Sequence, residues 1–204
     1  MTSSGRARSL LPVSLETAPN YLSLAYRELT EIPREVSAGL ASVEILDLSH
    51  NNISDLRCLS GLDRLTTLNL DSNRLDSHAK FPSLLNLRVL WVNRNDVTNL
   101  SLFVENLAVS CPRLSHLSMM NNAAAPSYFN GGSRQEYYDY RHYVISHWPH
   151  LGYLDDTAVG QDERAESQKI YGRRRAKVSS ISYSGVPPHG KRKSTSQSAV
   201  ENMR

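Results

Sequence analysis

The chain has 204 residues, with 23 Lys or Arg against 20 Asp or Glu and 40% hydrophobic side chains. This ordinary globular mixture can bury one core, and no run approaches the roughly 20 apolar residues of a membrane-spanning helix. The formal net charge of +3 hides an asymmetry: residues 172–204 hold eight basic side chains against Glu201 alone, a net of +7, which leaves 15 basic and 19 acidic side chains, a net of −4, in residues 1–171.

At the N-terminus, Arg6 and Arg8 precede Leu10-Leu11-Pro12-Val13-Ser14-Leu15, too short and too broken for the apolar core of a signal peptide. The two cysteines, Cys58 and Cys111, are isolated from each other. Secreted solenoids of the kind described below close their ends with several disulfide-bonded cysteines, so a reducing, intracellular compartment is expected. Residues 1–18 are read as an N-terminal extension or cover.

Residues 19–132 are dominated by one repeating pattern. Val43-Glu44-Ile45-Leu46-Asp47-Leu48-Ser49-His50-Asn51-Asn52-Ile53 fits L-x-x-L-x-L-x-x-N-x-L at each key position, as does Leu65 to Leu75. A third copy runs from Leu87 to Val97, and a fourth from Leu114 ends weakly at Ala124. A degenerate first copy has Leu22, Leu24 and Leu29, with Arg27 in the Asn position. The second-leucine positions, 22, 46, 68, 90 and 117, lie 24, 22, 22 and 27 residues apart. Each x-L-x-L-x segment predicts a short strand with its leucines inward. The Asn turns the chain and bonds backbone groups there. Leu56, Leu59, Leu62 and Leu65 recur every third residue, which suits a tight helical return. Since no repeat buries its apolar face alone, the repeats must stack. The expected fold is an α/β leucine-rich-repeat solenoid, a short curved horseshoe with about five parallel strands on its concave face.

The open end after the last repeat needs a cover, read over residues 133–172. Ser133 and Glu136 have capping-box spacing, and Tyr137, Tyr140, Val144 and Trp148 share one helical face. Pro149 ends that helix at Trp148. Leu151 to Asp155 reads as a last half-repeat, and a second helix is expected over about Asp162–Tyr171, closed by Gly172. Residues 173–204, rich in Ser, Pro, Lys and Arg, read as a disordered basic tail. Arg173-Arg174-Arg175-Ala176-Lys177 and Lys191-Arg192-Lys193 stand 13 residues apart, open to three readings: nuclear import, an anionic membrane patch, or solubilising charge.

Tyr140-Arg141-His142-Tyr143-Val144-Ile145, then Pro149-His150-Leu151-Gly152-Tyr153-Leu154-Asp155, resembles the C-terminal cap of one intracellular leucine-rich-repeat class. That class includes the spliceosomal U2 A-prime protein and the leucine-rich regulatory subunit of protein phosphatase 1. Leu117 to Asn122, the loop Ala124 to Gly132, Tyr138-Asp139-Tyr140-Arg141 and Leu154-Asp155-Asp156 resemble more closely the leucine-rich melanocyte differentiation-associated family. The resemblance covers roughly residues 20–172. It implies a binding module without catalytic activity, acting in pigment-cell differentiation and trafficking to lysosome-related organelles, with a Rab GTPase or an endosomal sorting complex as partner.

Outward strand positions would line the concave face. Between the two leucines these are Ser23, Asp47, Asn69, Trp91 and Ser118; before the first of them, Tyr21, Ile45, Thr67, Val89 and His116. Trp91 is the chief candidate anchor, because an outward Trp exposes a large apolar surface with one donor, and Arg94 follows three residues on. Ile45, Val89, His116 and Met120 extend that patch, while Asp47 and Asp71 could receive a basic segment. The bland alternatives are a Trp covered by its neighbours and two ordinary solvated carboxylates.

Catalytic and metal chemistry finds no support. His142, His147 and His150 are spaced by five and three, against the i,i+4 spacing of helical zinc ligands. Asp155 and Asp156 are adjacent and face opposite ways on an extended chain. Gly131-Gly132 lacks a phosphate-binding context. The expectation is therefore a monomeric, non-enzymatic adaptor with no cofactor and no metal, resident in the cytoplasm with a nuclear fraction through its basic tail. The acidic body argues against direct nucleic-acid contact. The rival readings are a nuclear ribonucleoprotein subunit of the U2 A-prime type, which would grip an RNA-binding-domain protein, and a phosphatase regulatory subunit.

Overall fold

In the computed structural model the described residues are 20–32, 40–127 and 130–172. The expected N-terminal cover and the basic tail lie outside them, as does part of the loop after Pro126.

Strands β1 (Tyr21–Ser23), β2 (Ile45–Asp47), β3 (Thr67–Asn69), β4 (Val89–Trp91) and β5 (His116–Ser118) form a parallel sheet in chain order. The register aligns Leu22, Leu46, Leu68, Leu90 and Leu117 as one rung. The 24-, 22-, 22- and 27-residue spacings therefore all close one turn of the same solenoid. Leu46, Leu68 and Leu90 are fully inaccessible, and the next inward rung, Leu48, Leu70, Val92 and Met119, is equally closed. Full burial of such a side chain is worth about 1.5–3 kcal/mol, so two continuous rungs account for much of the cohesion between repeats.

The return segments complete the core. Leu56, Leu59, Leu62 and Leu65 are all buried, as their threefold spacing predicts. Within that stretch Arg57–Leu59 forms a 3-10 turn, after which Gly61, at φ 84°, supplies a reversal that favours glycine. The longest repeat uses its extra residues differently. Between β4 and β5 it builds an α-helix, α1 (Leu100–Ser110), capped by the Asn99 side chain accepting from the Leu102 N–H. Phe103, Val104 and Leu107 face the core at i, i+1 and i+4.

The far end is closed as a cap. Helix α2 (Arg134–His147) opens with a complete capping box: the Ser133 hydroxyl accepts from the Glu136 N–H, and Glu136 accepts the Ser133 N–H. It buries Tyr140, Val144 and Ile145, with Trp148 closed off as its last cap residue. Strand β6 (Tyr153–Leu154) continues the sheet in parallel with β5, and β7 (Thr157–Ala158) turns back antiparallel to it. Among the described residues the sheet thus has seven strands, of which the five repeat strands follow the expected pattern and the terminal hairpin adds an antiparallel edge. Helix α3 (Gln161–Ser167) runs on into a wider π-type turn, Gln168–Gly172, rather than remaining one α-helix to Tyr171. Arg141, 2% exposed, joins these pieces by pairing with Glu163 of α3 and donating to the Leu154 carbonyl at 3.0 Å. No helix among the described residues is long and apolar enough to cross a membrane.

Candidate functional site

The polar turn after each strand fixes which side chains reach the sheet surface. Asn51, Asn73, Asn95 and Asn122 are buried. Each donates from its amide to its own strand end and to a carbonyl of the preceding repeat; for Asn95 these are Val92 (3.1 Å) and Leu70 (3.0 Å). Each also accepts a backbone N–H from the preceding repeat, Leu75 for Asn95 and Ile53 for Asn73, both at 2.9 Å. The degenerate first repeat receives the same help, because Asn51 accepts from the Arg27 and Leu29 N–H groups.

A second periodic feature falls on residues of no common type. Tyr26, His50, Ser72, Arg94, Asn121 and Asp155 all have φ between 53° and 59°, a region that non-glycine residues seldom enter. In the first four of these the N–H donates to the following repeat, as Arg94 does to the Met120 carbonyl at 2.9 Å. The hydrogen bond offsets the conformational cost, and the turn sets Arg94 exposed at the edge of the sheet, past the end of β4.

Across the sheet, one outward row runs Tyr21, Ile45, Thr67, Val89, His116, Tyr153 and a second Ser23, Asp47, Asn69, Trp91, Ser118. Trp91 is 38% exposed, Met120 37%, Ile45 40% and Tyr153 47%. Val89 is half-buried beside Trp91 on β4, and His116 is exposed on β5, with its ring stacked on Tyr153 at 4.8 Å. These β4–β6 residues make one apolar and aromatic field. Neighbouring strands lie about 4.8 Å apart, so Ile45 and Asp47 on β2 are separated from it by a full strand bearing Thr67 and Asn69. At the sheet's N-terminal edge, Tyr26 stacks on His50 at 4.1 Å.

The two carboxylates expected to receive a basic segment are already engaged. Asp47 accepts the Ser49 N–H at 2.9 Å and the Ser23 hydroxyl at 3.3 Å. Asp71 accepts the Asn93 N–H at 2.8 Å and its side-chain amide at 3.2 Å, while Asn93 accepts from Ser118 at 2.7 Å. Both acids lie half-buried at the surface, and part of their accepting capacity holds the face together.

Beyond Met120 the sheet surface runs into a cleft of about 570 Å³ between the last repeat and the cap, bordered by Met120, Pro126, Arg134, Tyr137, Asp155 and Asp156. Asp155 is largely buried there, and burial raises its carboxyl above the usual range against the opposing Met119 and Tyr140 hydrogen bonds. Sequence spacing alone places neither this cleft nor Tyr153, because both depend on how the cap docks. Elsewhere, burial pushes the Cys111 thiol up to about 12, the state of an unreactive core cysteine. Among the described residues no three His, Cys, Asp or Glu side chains converge as a metal site.

Residues 20–75 match the family model described as Leucine rich repeat. The human leucine-rich melanocyte differentiation-associated protein is 35% identical over 127 residues, 60% of this chain and 64% of its own length. Osteomodulin of Rattus norvegicus is 35% identical over 117 residues, 55% of this chain but 26% of its own. The chain thus spans less than two thirds of the curated relatives it matches. Among solved structures, a chain in the Drosophila melanogaster SNF/U2A' complex superposes with a TM-score of 0.60 at 24% identity, covering 79% of this chain and 87% of that one. The solenoid architecture and the likeness to the melanocyte protein, both expected from the sequence, are borne out.

Proposed function

We propose that this leucine-rich-repeat solenoid is a non-enzymatic adaptor that docks a protein on its concave face, with Trp91 as the anchor. One observation carries the reading. Trp91 stands 38% exposed at an outward strand position, with Val89 on the same strand, Met120 two residues past the end of β5 and Tyr153 on β6. A soluble surface rarely gathers such side chains without use, and Trp with Arg is enriched among residues that dominate binding energy. Arg94, His116, Asp47 and Asp71 form a polar surround, and Ile45 is an outlying contact across β3.

The process is an extension from similarity. The relative's name ties it to melanocyte differentiation, and an adaptor in trafficking to lysosome-related organelles, with a Rab GTPase or an endosomal sorting complex bound to the face, is the specific form of the proposal. The rival, a ribonucleoprotein subunit, is prompted by the SNF/U2A' neighbour, but 24% identity extends to fold alone.

The test is affinity capture from matched cells with the intact chain and Trp91→Ala side by side, read by mass spectrometry. A Rab GTPase or endosomal sorting proteins lost with the variant support the adaptor and its face together. Splicing factors captured in their place move the protein to the ribonucleoprotein reading. An identical capture list from both chains removes Trp91 as the anchor.

A further inference from the structure

On the side of α2 facing α1 lies an open groove of about 520 Å³, bordered by Leu100, Glu136, Asp139, Tyr140, Tyr143 and Tyr171. Positions 136, 139, 140 and 143 follow one another at i, i+3, i+4 and i+7, so they form a single helical face. Glu105 of α1 is tied to this wall, accepting from the Tyr143 hydroxyl at 3.1 Å. Among the described residues none of Glu105, Glu136 and Asp139 is in an ion pair. Glu136 is held below the usual carboxylate range by the Ser133 backbone N–H and hydroxyl, and so stays ionised. The groove therefore combines two wall carboxylates, and a third beside Tyr143, each hydrogen-bonded but without a cationic partner among the described residues, with tyrosine rings, Tyr143 and Tyr171 meeting edge to face at 5.3 Å. That is the chemistry that takes guanidinium groups, by ion pairing and by stacking.

The sequence supplies such groups two residues beyond Tyr171. Tyr171 lines the groove, and the next residues but one are Arg173-Arg174-Arg175-Ala176-Lys177. From Tyr143 to Glu136 the helix face extends about 10 Å, and four extended residues span about 13 Å. Residues 173–176 are thus long enough to run from Tyr171 back along α2 to Glu136. The remainder of the charge balance fits: residues 172–204 are net +7 and residues 1–171 net −4. A tether this short gives the first basic cluster a high effective concentration at the groove, an advantage that Lys191-Arg192-Lys193 lacks.

We propose that the groove between α1 and α2 is an intramolecular docking site for the basic cluster Arg173–Lys177. Docking withholds that cluster from other anionic surfaces, so a partner competing for the cap would release it.

Trypsin cuts after Lys and Arg, and the full-length chain carries its own control in the second cluster. The proposal expects cleavage within 173–177 at least tenfold slower than within 191–193 at low salt. Raising salt to about 0.5 M, where screening lengths shrink to a few ångströms, should erase the difference. So should Asp139→Lys combined with Glu105→Lys, exposed positions whose reversal leaves the core untouched; the milder Asp139→Asn with Glu105→Gln should erase it in part, and unchanged thermal midpoints confirm that the variants fold. Equal cleavage of the two clusters in the unaltered chain overturns the proposal. Protection of 173–177 that persists through both charge reversal and salt also overturns it, since the cluster would then be held by something other than these carboxylates.

Discussion

The Tyr140 hydroxyl of α2 donates to the Asp155 carboxylate at 3.0 Å, and that carboxylate also accepts the Met119 backbone N–H at 2.9 Å. One side chain thus ties the cap helix, the last repeat strand and the β6–β7 turn together. Burial lifts the Asp155 carboxyl above its ordinary value, and burial together with the neighbouring Asp155 charge lifts the Tyr140 hydroxyl well above its own.

The pH dependence follows from the sign of that shift. A carboxyl whose folded pKa is raised binds its proton more tightly in the native state than in the unfolded chain. Its contribution is fully present below the unfolded value of about 3.9 and is lost as pH rises through the raised folded value. Asp155→Asn removes the charge while leaving an amide oxygen for the Met119 and Tyr140 donors, at a φ of 58° that Asn tolerates well. The expected outcome is a higher unfolding midpoint than the parent at pH 7, with the gain vanishing near pH 4. Denaturant unfolding at several pH values reads it, and a gain that grows toward acid would reverse the assignment.

The Asn ladder makes a sharper prediction about chemistry than about size. Asn95 donates to the Leu70, Val92 and Asn93 carbonyls and accepts from the Leu75 N–H. Asn95→Ala leaves these buried backbone groups short of partners and should cost about 2–4 kcal/mol, since each unsatisfied group costs about 1–3. Asn95→Asp is nearly the same shape but sets a carboxylate against carbonyl oxygens, and should cost more than Ala at neutral pH. Urea unfolding of the pair decides it: Asp equal to the parent would mean that the amide donors are unimportant.

Leu68 tests the strand register. It is fully inaccessible in the rung between Leu46 and Leu90, so Leu68→Ala should destabilise by about 2–5 kcal/mol through lost burial and a residual cavity. Thr67→Ala, one residue away on the outward row, should cost far less. Similar losses at the two positions would place the wrong face inward.

The rungs, the Asn turns and the α2 capping box were legible because each is a local pattern whose chemistry has one economical solution. What was missed depended on distance. The 27-residue spacing before Leu117 gave no direct sign of α1, since its core contacts Phe103, Val104 and Leu107 form a narrow stripe in an otherwise mixed segment. The burial of Arg141 has no sign in its own helix, because its partner Glu163 lies 22 residues on. The same limit applies to the candidate face. Alternation points to the outward positions, yet Ser118 among them is only 3% exposed, and the partial use of Asp71 by Asn93 and the stacking of His116 on Tyr153 arise only when neighbouring repeats align. The turn at Arg94, with φ 53°, is marked by position and not by residue type: His50, Ser72, Arg94 and Asn121 share no side-chain chemistry but each stands just before a ladder Asn.

The two tryptophans give the cleanest separation of stability from binding. Trp148 is 1% exposed, and its indole N–H donates to the Cys111 carbonyl at 2.8 Å, locking the end of α2 onto the chain just after α1. Trp148→Ala should cost about 3–5 kcal/mol and lower every activity through unfolding. Trp91 leaves over a third of its surface in solvent on the sheet face, so Trp91→Ala should cost no more than about 1 kcal/mol, within the range of substitutions away from a packed core. Partner capture should nevertheless drop with Trp91→Ala at a temperature where both it and the parent are folded. Severe unfolding of Trp91→Ala would assign that ring to packing between repeats, and the docking face would then have to be sought at Met120, Tyr153 and the cleft beside the cap.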